Sequence, residues 1–254
     1  MTSISFARVN LCYTTNMRLD KLLEGTKVGS RSQVKKLIKA QGVWVDHMPA
    51  RNGRQNVDPG LQLIEVTGQR VTHPKHSYII LNKPSGVVSA KKDTNYLTII
   101  DQLAEEDKSP DLYPVGRLDR DTEGLVLLTD NGPLGFRMLH PSHHVSKTYL
   151  VTVNGLLAED ASDFFAAGIC FPTGEQCQPA QLTILKADTD QSQASLTISE
   201  GKFHQVKKMF LTYGLKVTSL KRTHFAGLEL GHLASGEYRY LTESERQLIK
   251  TYLD

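Results

Sequence analysis

Five of the nine residues in GRLDRDTEG, Gly116 to Gly124, are charged, and the stretch runs straight into LVLLTDNG, an apolar run closed by a turn. The apolar run reads as a buried strand. A buried strand that begins on Arg117, Asp119, Arg120, Asp121 and Glu123 needs a reason. Either the charges form ordinary surface ion pairs in a solvated loop, or one carboxylate is held there for chemistry. If GRLD is extended, Arg117 and Asp119 project to one side and Leu118 to the other. Leu118 can then anchor the segment in a core while two polar groups face a substrate.

A chain of 254 residues suits two compact units better than one. With 39% hydrophobic and 22% charged residues it has the balance of a folded globular protein. No apolar run approaches the roughly 18 residues of a membrane span. The net charge of +3 is unevenly spread: residues 17–76 carry +6 and residues 77–254 carry −4. A small basic unit followed by a larger acidic one suggests a polyanionic partner for the first. THPKHS, residues 72–77, reads as the linker between them. Residues 1–16 have no clear period and read as an extension, or as an early start, rather than a targeting peptide. Three cysteines, Cys12, Cys170 and Cys177, fit a reducing, cytoplasmic compartment, with Cys170 and Cys177 read as unpaired thiols.

In the basic unit, Ser30-Arg-Ser-Gln33 is a capping box that predicts a helix ending at Gly42. Val34, Leu37, Ile38 and Gln41 share its core face, while Arg31, Lys35 and Lys39 form a cationic ridge with no nearby acid to pair with. That ridge is either a solvated lysine face or a phosphate reader. VWVD, residues 43–46, and LIEV, residues 63–66, read as strands.

In the larger unit, YIILNKPSGVVSA (residues 78–90) is expected to give an apolar strand, a Lys-Pro break and another short strand, and further strands are expected at residues 147–153, 180–187, 195–200 and 216–225. Helices are expected at residues 133–140, 159–168, 203–214 and 242–253. Strands mixed with helices, without steady βαβ alternation, predict an α+β unit with a mainly antiparallel mixed sheet flanked by helices. The sequence has no Walker loop, no Rossmann glycine fingerprint and no G-x-S-x-G elbow. HPSHH, residues 140–144, is too local a cluster to read as a metal site. Asp119-Arg-Asp-Thr122 comes near the D-x-D-x-T of aspartate-nucleophile phosphatases, but its threonine stands one position early, with Glu123 in the fifth place, and the first Asp is expected there at the end of an apolar strand.

Two resemblances narrow these options. MRLDKLL (residues 17–23) with GSRSQVKKLIKAQGVWVD (residues 29–46) resembles the S4 RNA-binding domain. LNKPSG, GRLDRDTEGLVLLTDNG, KTYLV and LTISEGKFHQVKKMF, in that order, resemble the pseudouridine synthases that carry an S4 domain. The HQVKKMF helix looks most like the RsuA-type branch, which acts on 16S rRNA; a 23S rRNA target is the alternative within the family. The resemblance implies an S4-like unit at residues 17–71 and a catalytic unit at residues 78–254.

It also implies an isomerase that converts uridine in 16S rRNA, free or in a small-subunit assembly intermediate, to pseudouridine. No cofactor and no metal are expected, and a monomer is the default. The family's catalytic aspartate falls on Asp119, its partner cation on Lys207 and its active-site tyrosine on Tyr149. Arg117, Asn82, Lys83 and Lys208 are implied substrate contacts, with Lys208 on the freer face of its helix and suited to a phosphate. Arg18, Arg31, Lys35 and Lys39 are the implied RNA contacts of the S4-like unit. A catalytically silent rRNA-binding module is the competing reading, disfavoured because binding alone needs no such constellation.

Overall fold

The computed structural model describes residues 18–71 and 76–253, and the chain forms two compact units that divide between His73 and Pro74. The expected extension at residues 1–16 and residues 72–75 of the expected linker lie outside the described residues.

The first unit runs α1 (Leu19–Gly25), α2 (Arg31–Lys39), β1 (Val43–Val45), β2 (Met48–Pro49), β3 (Ile64–Val66) and β4 (Gln69–Arg70). The strands form an antiparallel sheet in the order β2-β1-β3-β4. Leu19, Leu22 and Leu23, at helical spacing, and Val34 bury against Val43, Val45, Ile64 and Val66. The Gln33 side chain accepts the Ser30 backbone N–H at 2.7 Å, so the capping box forms and starts α2 where its sequence predicts.

The end of α2 differs from expectation. The helix stops at Lys39, and Gln41 takes a left-handed backbone with φ of 56°. Gln41 is therefore exposed and not on the core face. The Gly42 N–H then closes on Leu37 O at 2.9 Å and turns the chain into β1.

The second unit contains β5 (Tyr78–Lys83), β6 (Tyr113–Val115), β7 (Glu123–Thr129), α3 (Gly132–Leu139), β8 (Lys147–Asn154), α4 (Ala161–Ala166), β9 (Gln181–Lys186) and β10 (Gln191–Ile198). It continues with α5 (Gln205–Tyr213), β11 (Val217–Phe225), β12 (Leu228–Glu229), β13 (Tyr238–Tyr240) and α6 (Glu243–Lys250). Its sheet has the order β13-β5-β7-β11-β8-β10-β9, with β6 added on β7 and β12 on β11. Pairing between these strands is antiparallel except between β7 and β11. The fold is thus α+β with a mainly antiparallel mixed sheet, as the sequence predicts.

Every residue of β5 is buried, and so is β7 from Gly124 onward, because both lie inside the sheet with both faces covered. α5 buries Val206, Met209 and Phe210, with the Phe210 ring 4.7 Å from that of Phe165 in α4. β7 and β11 meet at Gly124, whose φ is 104° and where an added Cβ would lie 2.2 Å from Arg222 O. Only glycine permits that approach, at the point where the charged loop joins the sheet.

Candidate active site

The loop between β6 and β7 carries GRLDRDT. Leu118 is buried in the main core at 6% exposure, while Arg117 is exposed and Asp119 half-buried, the alternation expected of an extended segment. The backbone on both sides of Asp119 is fixed. Ser89 Oγ accepts the Leu118 N–H at 3.0 Å and donates to Leu118 O at 2.9 Å. Arg120 O accepts from Lys83 Nζ at 3.1 Å and from the Gly86 N–H at 2.8 Å. Asp119 O accepts the Thr122 N–H at 3.1 Å. The carboxylate is therefore presented from a braced loop, not a mobile tip.

Two side chains from the start of α5 reach it. Lys207 Nζ stands 3.1 Å from Asp119 Oδ2 and 2.6 Å from Asp121 Oδ1. His204 Nε2 stands 3.5 Å from Asp119 Oδ1. Burial of Lys207 opposes its charge, but its bonds to Asp121 and Asp119 outweigh that and raise its pKa above the usual lysine value. The same bond holds the Asp121 carboxyl below the usual carboxylate range. Lys207 thus bridges the carboxyl groups of Asp119 and Asp121.

Tyr149 is 7% exposed in β8, opposite Arg222 of β11 and Leu196 of β10, in the same core as Leu118. Arg222 is itself buried, its Nε donating to Leu125 O at 2.8 Å and its guanidinium lying 4.9 Å over the Phe225 ring. Lys147, two residues before Tyr149, has its pKa pushed down to about 8 by burial and by the Arg222 charge.

The structure thus brings Asp119 and Lys207 together. It changes the expectation for Asn82 and Lys83. Both are fully buried in β5, where Asn82 Nδ2 donates to Leu233 O at 2.7 Å and Lys83 Nζ to Pro84 O at 2.9 Å. Lys83, which also donates to Arg120 O, braces the loop, and neither buried side chain has surface to offer a substrate. Burial pushes the Lys83 ammonium down to about 8, against the opposing pull of Asp121, Glu123 and Asp119. Lys208 is half-buried, with Nζ 5.4 Å over the Phe203 ring and 5.7 Å over the Phe171 ring.

In the first unit Lys35 and Lys39 are exposed. Arg31 is exposed too, but its Nε lies 3.8 Å from Glu24 Oε1, so the ridge does have an acid within reach. Arg18 is tied to Asp20, its Nε donating to Oδ1 at 3.0 Å.

Sequence reasoning missed two participants, His204 and Asp121. Both carried a signal. Asp121 is two residues from Asp119, in the turn closed by the Thr122 N–H on Asp119 O, near enough to reach the same cation. His204 is three residues from Lys207, at the N-cap of α5, close enough to reach the same carboxylate.

This geometry sits within a recognisable sequence. A family model described as RNA pseudouridylate synthase matches residues 77–212, and one for the S4 domain matches residues 17–63. The chain belongs to the RNA pseudouridylate synthases. Among curated relatives of this synthase, an uncharacterized RNA pseudouridine synthase, YtzG, of Bacillus subtilis is 42% identical over 92% of this chain and 98% of its own. The ribosomal small subunit pseudouridine synthase A of Escherichia coli K12 is 38% identical over 90% of this chain and 98% of its own. A crystal structure of a pseudouridylate synthase, 36% identical, superposes with a TM-score of 0.64 over 92% of this chain and 99% of that one. Membership removes the phosphatase reading of D-x-D-x-T. The first of those aspartates stands before β7 in the braced loop, not at the end of an apolar strand.

Proposed function

We propose that this synthase isomerises a uridine of small-subunit (16S) ribosomal RNA to pseudouridine, with Asp119 as nucleophile. The observation that carries the reading is the Lys207 ammonium 3.1 Å from the carboxylate of a loop braced on both sides. Such a cation pairs with the Asp119 carboxylate and aims it at an electrophilic carbon. The reaction breaks the N1–C1′ bond, turns the base, and joins C5 to C1′. A proton leaves C5 and one is gained at N1, so atoms balance without a redox or metal step. Tyr149 supplies a ring for uracil to stack on and a phenol for proton removal at C5. Exposed Arg117, at the mouth of the loop, helps hold the uridine out of its stack, which this chemistry requires.

The small-subunit target rests on relatives named ribosomal small subunit pseudouridine synthase A. The S4-like unit, residues 17–71, captures RNA through Lys35 and Lys39, and the catalytic unit begins at residue 78. Lys208 contacts a phosphate. The synthase acts in the cytoplasm, where ribosomal RNA is modified, as a monomer and without metal.

Tritium release from small-subunit rRNA labelled at uridine C5, with chelator present, tests this reading. Release is expected. Its absence from both free rRNA and small subunits, or its dependence on added magnesium, contradicts the proposal.

A further inference from the structure

Phe203 is 73% exposed in the loop that leads into α5. Its ring lies 3.8 Å from that of His204 at an interplanar angle of 20°, a near-parallel stack. His204 in turn reaches Asp119, with Nε2 3.5 Å from Oδ1. An exposed apolar ring is ordinarily found on a loose loop, but this loop is fixed. Buried Gln205 accepts the Lys202 N–H at 2.8 Å and donates to Glu200 Oε1 at 2.6 Å. Lys202 Nζ donates to Gln176 O at 2.9 Å. His204 holds a left-handed backbone, φ 54°, which turns the chain from this loop into α5. A fixed loop thus holds two aromatic rings parallel and open to solvent.

We infer that Phe203 and His204 are a stacking platform for an unpaired base of the RNA substrate beside the reacting uridine. The inference rests on the rRNA isomerase reading above. Planar rings bind bases of any sequence through their faces, and a neighbouring cation adds attraction for the phosphate that accompanies each base. Lys208 supplies that cation, with Nζ 5.4 Å from the Phe203 centroid. A hydrophobic protein partner fits the surface less well, because the patch is flanked by this charge and is continuous with the catalytic carboxylate. The base on the platform takes up the strand next to the flipped uridine and keeps it from restacking.

The test uses the full chain and small-subunit rRNA, with RNA affinity and tritium release measured on Phe203→Ala, Phe203→Leu and Phe203→Trp. Because the side chain is exposed, all three are expected to keep the wild-type melting temperature. Phe203→Ala should raise the RNA dissociation constant about tenfold, the usual order for the loss of one stacked base. KM should rise in step, with turnover at saturating RNA within about threefold of wild type. Tryptophan should restore binding and leucine should not. Wild-type affinity in the alanine variant, or full restoration by leucine, overturns the platform; the first would leave the surface to a protein partner and the second to simple apolar packing. If wild type binds RNA through Phe203 but releases no tritium, the isomerase reading fails while the platform stands.

Discussion

Lys207 is closer to Asp121 than to Asp119: its Nζ lies 2.6 Å from the one and 3.1 Å from the other. The proposed nucleophile therefore shares its cation with a second carboxylate. Asp121 is the more exposed of the two, so it competes for Lys207 while leaving Asp119 the more sheltered position.

Asp121→Asn should reduce turnover modestly, about three- to tenfold, since it removes one anchor of the ammonium but not the pair with Asp119. It should also shift the alkaline limb of the pH profile. The Lys207 pKa is raised, so its contribution is present below that pKa and lost as pH rises through it. Removing Asp121 removes one cause of the raising, so activity should fall at lower pH than in wild type. Lys207→Met should cost about a hundredfold or more in turnover, and Lys207→Arg should retain most of it. A pH–rate series on the three variants checks all of this.

Gly124 and Gly86 both have positive φ but differ in their surroundings. At Gly124 a Cβ would meet Arg222 O at 2.2 Å, whereas at Gly86 there is open space. Gly124→Ala should therefore cost about 3 kcal/mol or more, or prevent folding, by forcing β7 and β11 apart. Gly86→Ala should cost only about 1 kcal/mol of backbone strain. Urea denaturation of the two variants measures the contrast.

Lys83 should leave a signature in stability against pH. Its pKa falls from 10.5 unfolded to about 8 folded, so the unfolded chain binds more protons between those values. Its contribution to stability should accordingly rise as pH increases from about 8 to 10.5, and below 8 its burial penalty is fully present. Lys83→Met should flatten that part of the curve, read from urea unfolding at pH 7 and pH 9.5.

Lys35→Glu with Lys39→Glu should weaken RNA binding and make the slope of log affinity against log salt shallower by about 0.7–0.9 for each phosphate no longer neutralised. Arg18→Ala should change the slope less, because Arg18 is already bonded to Asp20. RNA titrations at several salt concentrations give the slopes.

Where the sequence was legible, local chemistry agreed with the fold. Capping boxes at Ser30 and Thr242 start α2 and α6, and the period of Val206, Met209 and Phe210 gives α5 its buried face. β6 and β13 were not legible, since each has three residues without alternation and exists by pairing with β7 or β5. The burial of Asn82 and Lys83 was not legible, because a lysine next to proline ordinarily sits in a solvated turn. Here the strand before Pro84 lies inside the sheet, a tertiary fact that no local pattern carries. The pairing of Asp119 with Lys207 spans about half of the larger unit, so residue spacing alone could not supply it. The family resemblance named both residues, and the distance between them came only with the fold.

The decisive measurement is tritium release from C5-labelled small-subunit rRNA by Asp119→Asn beside wild type, with RNA affinity followed in parallel. Wild type should release tritium, the variant should release none, and both should bind RNA with similar affinity. Equal release by the variant would contradict the assignment of Asp119 as nucleophile.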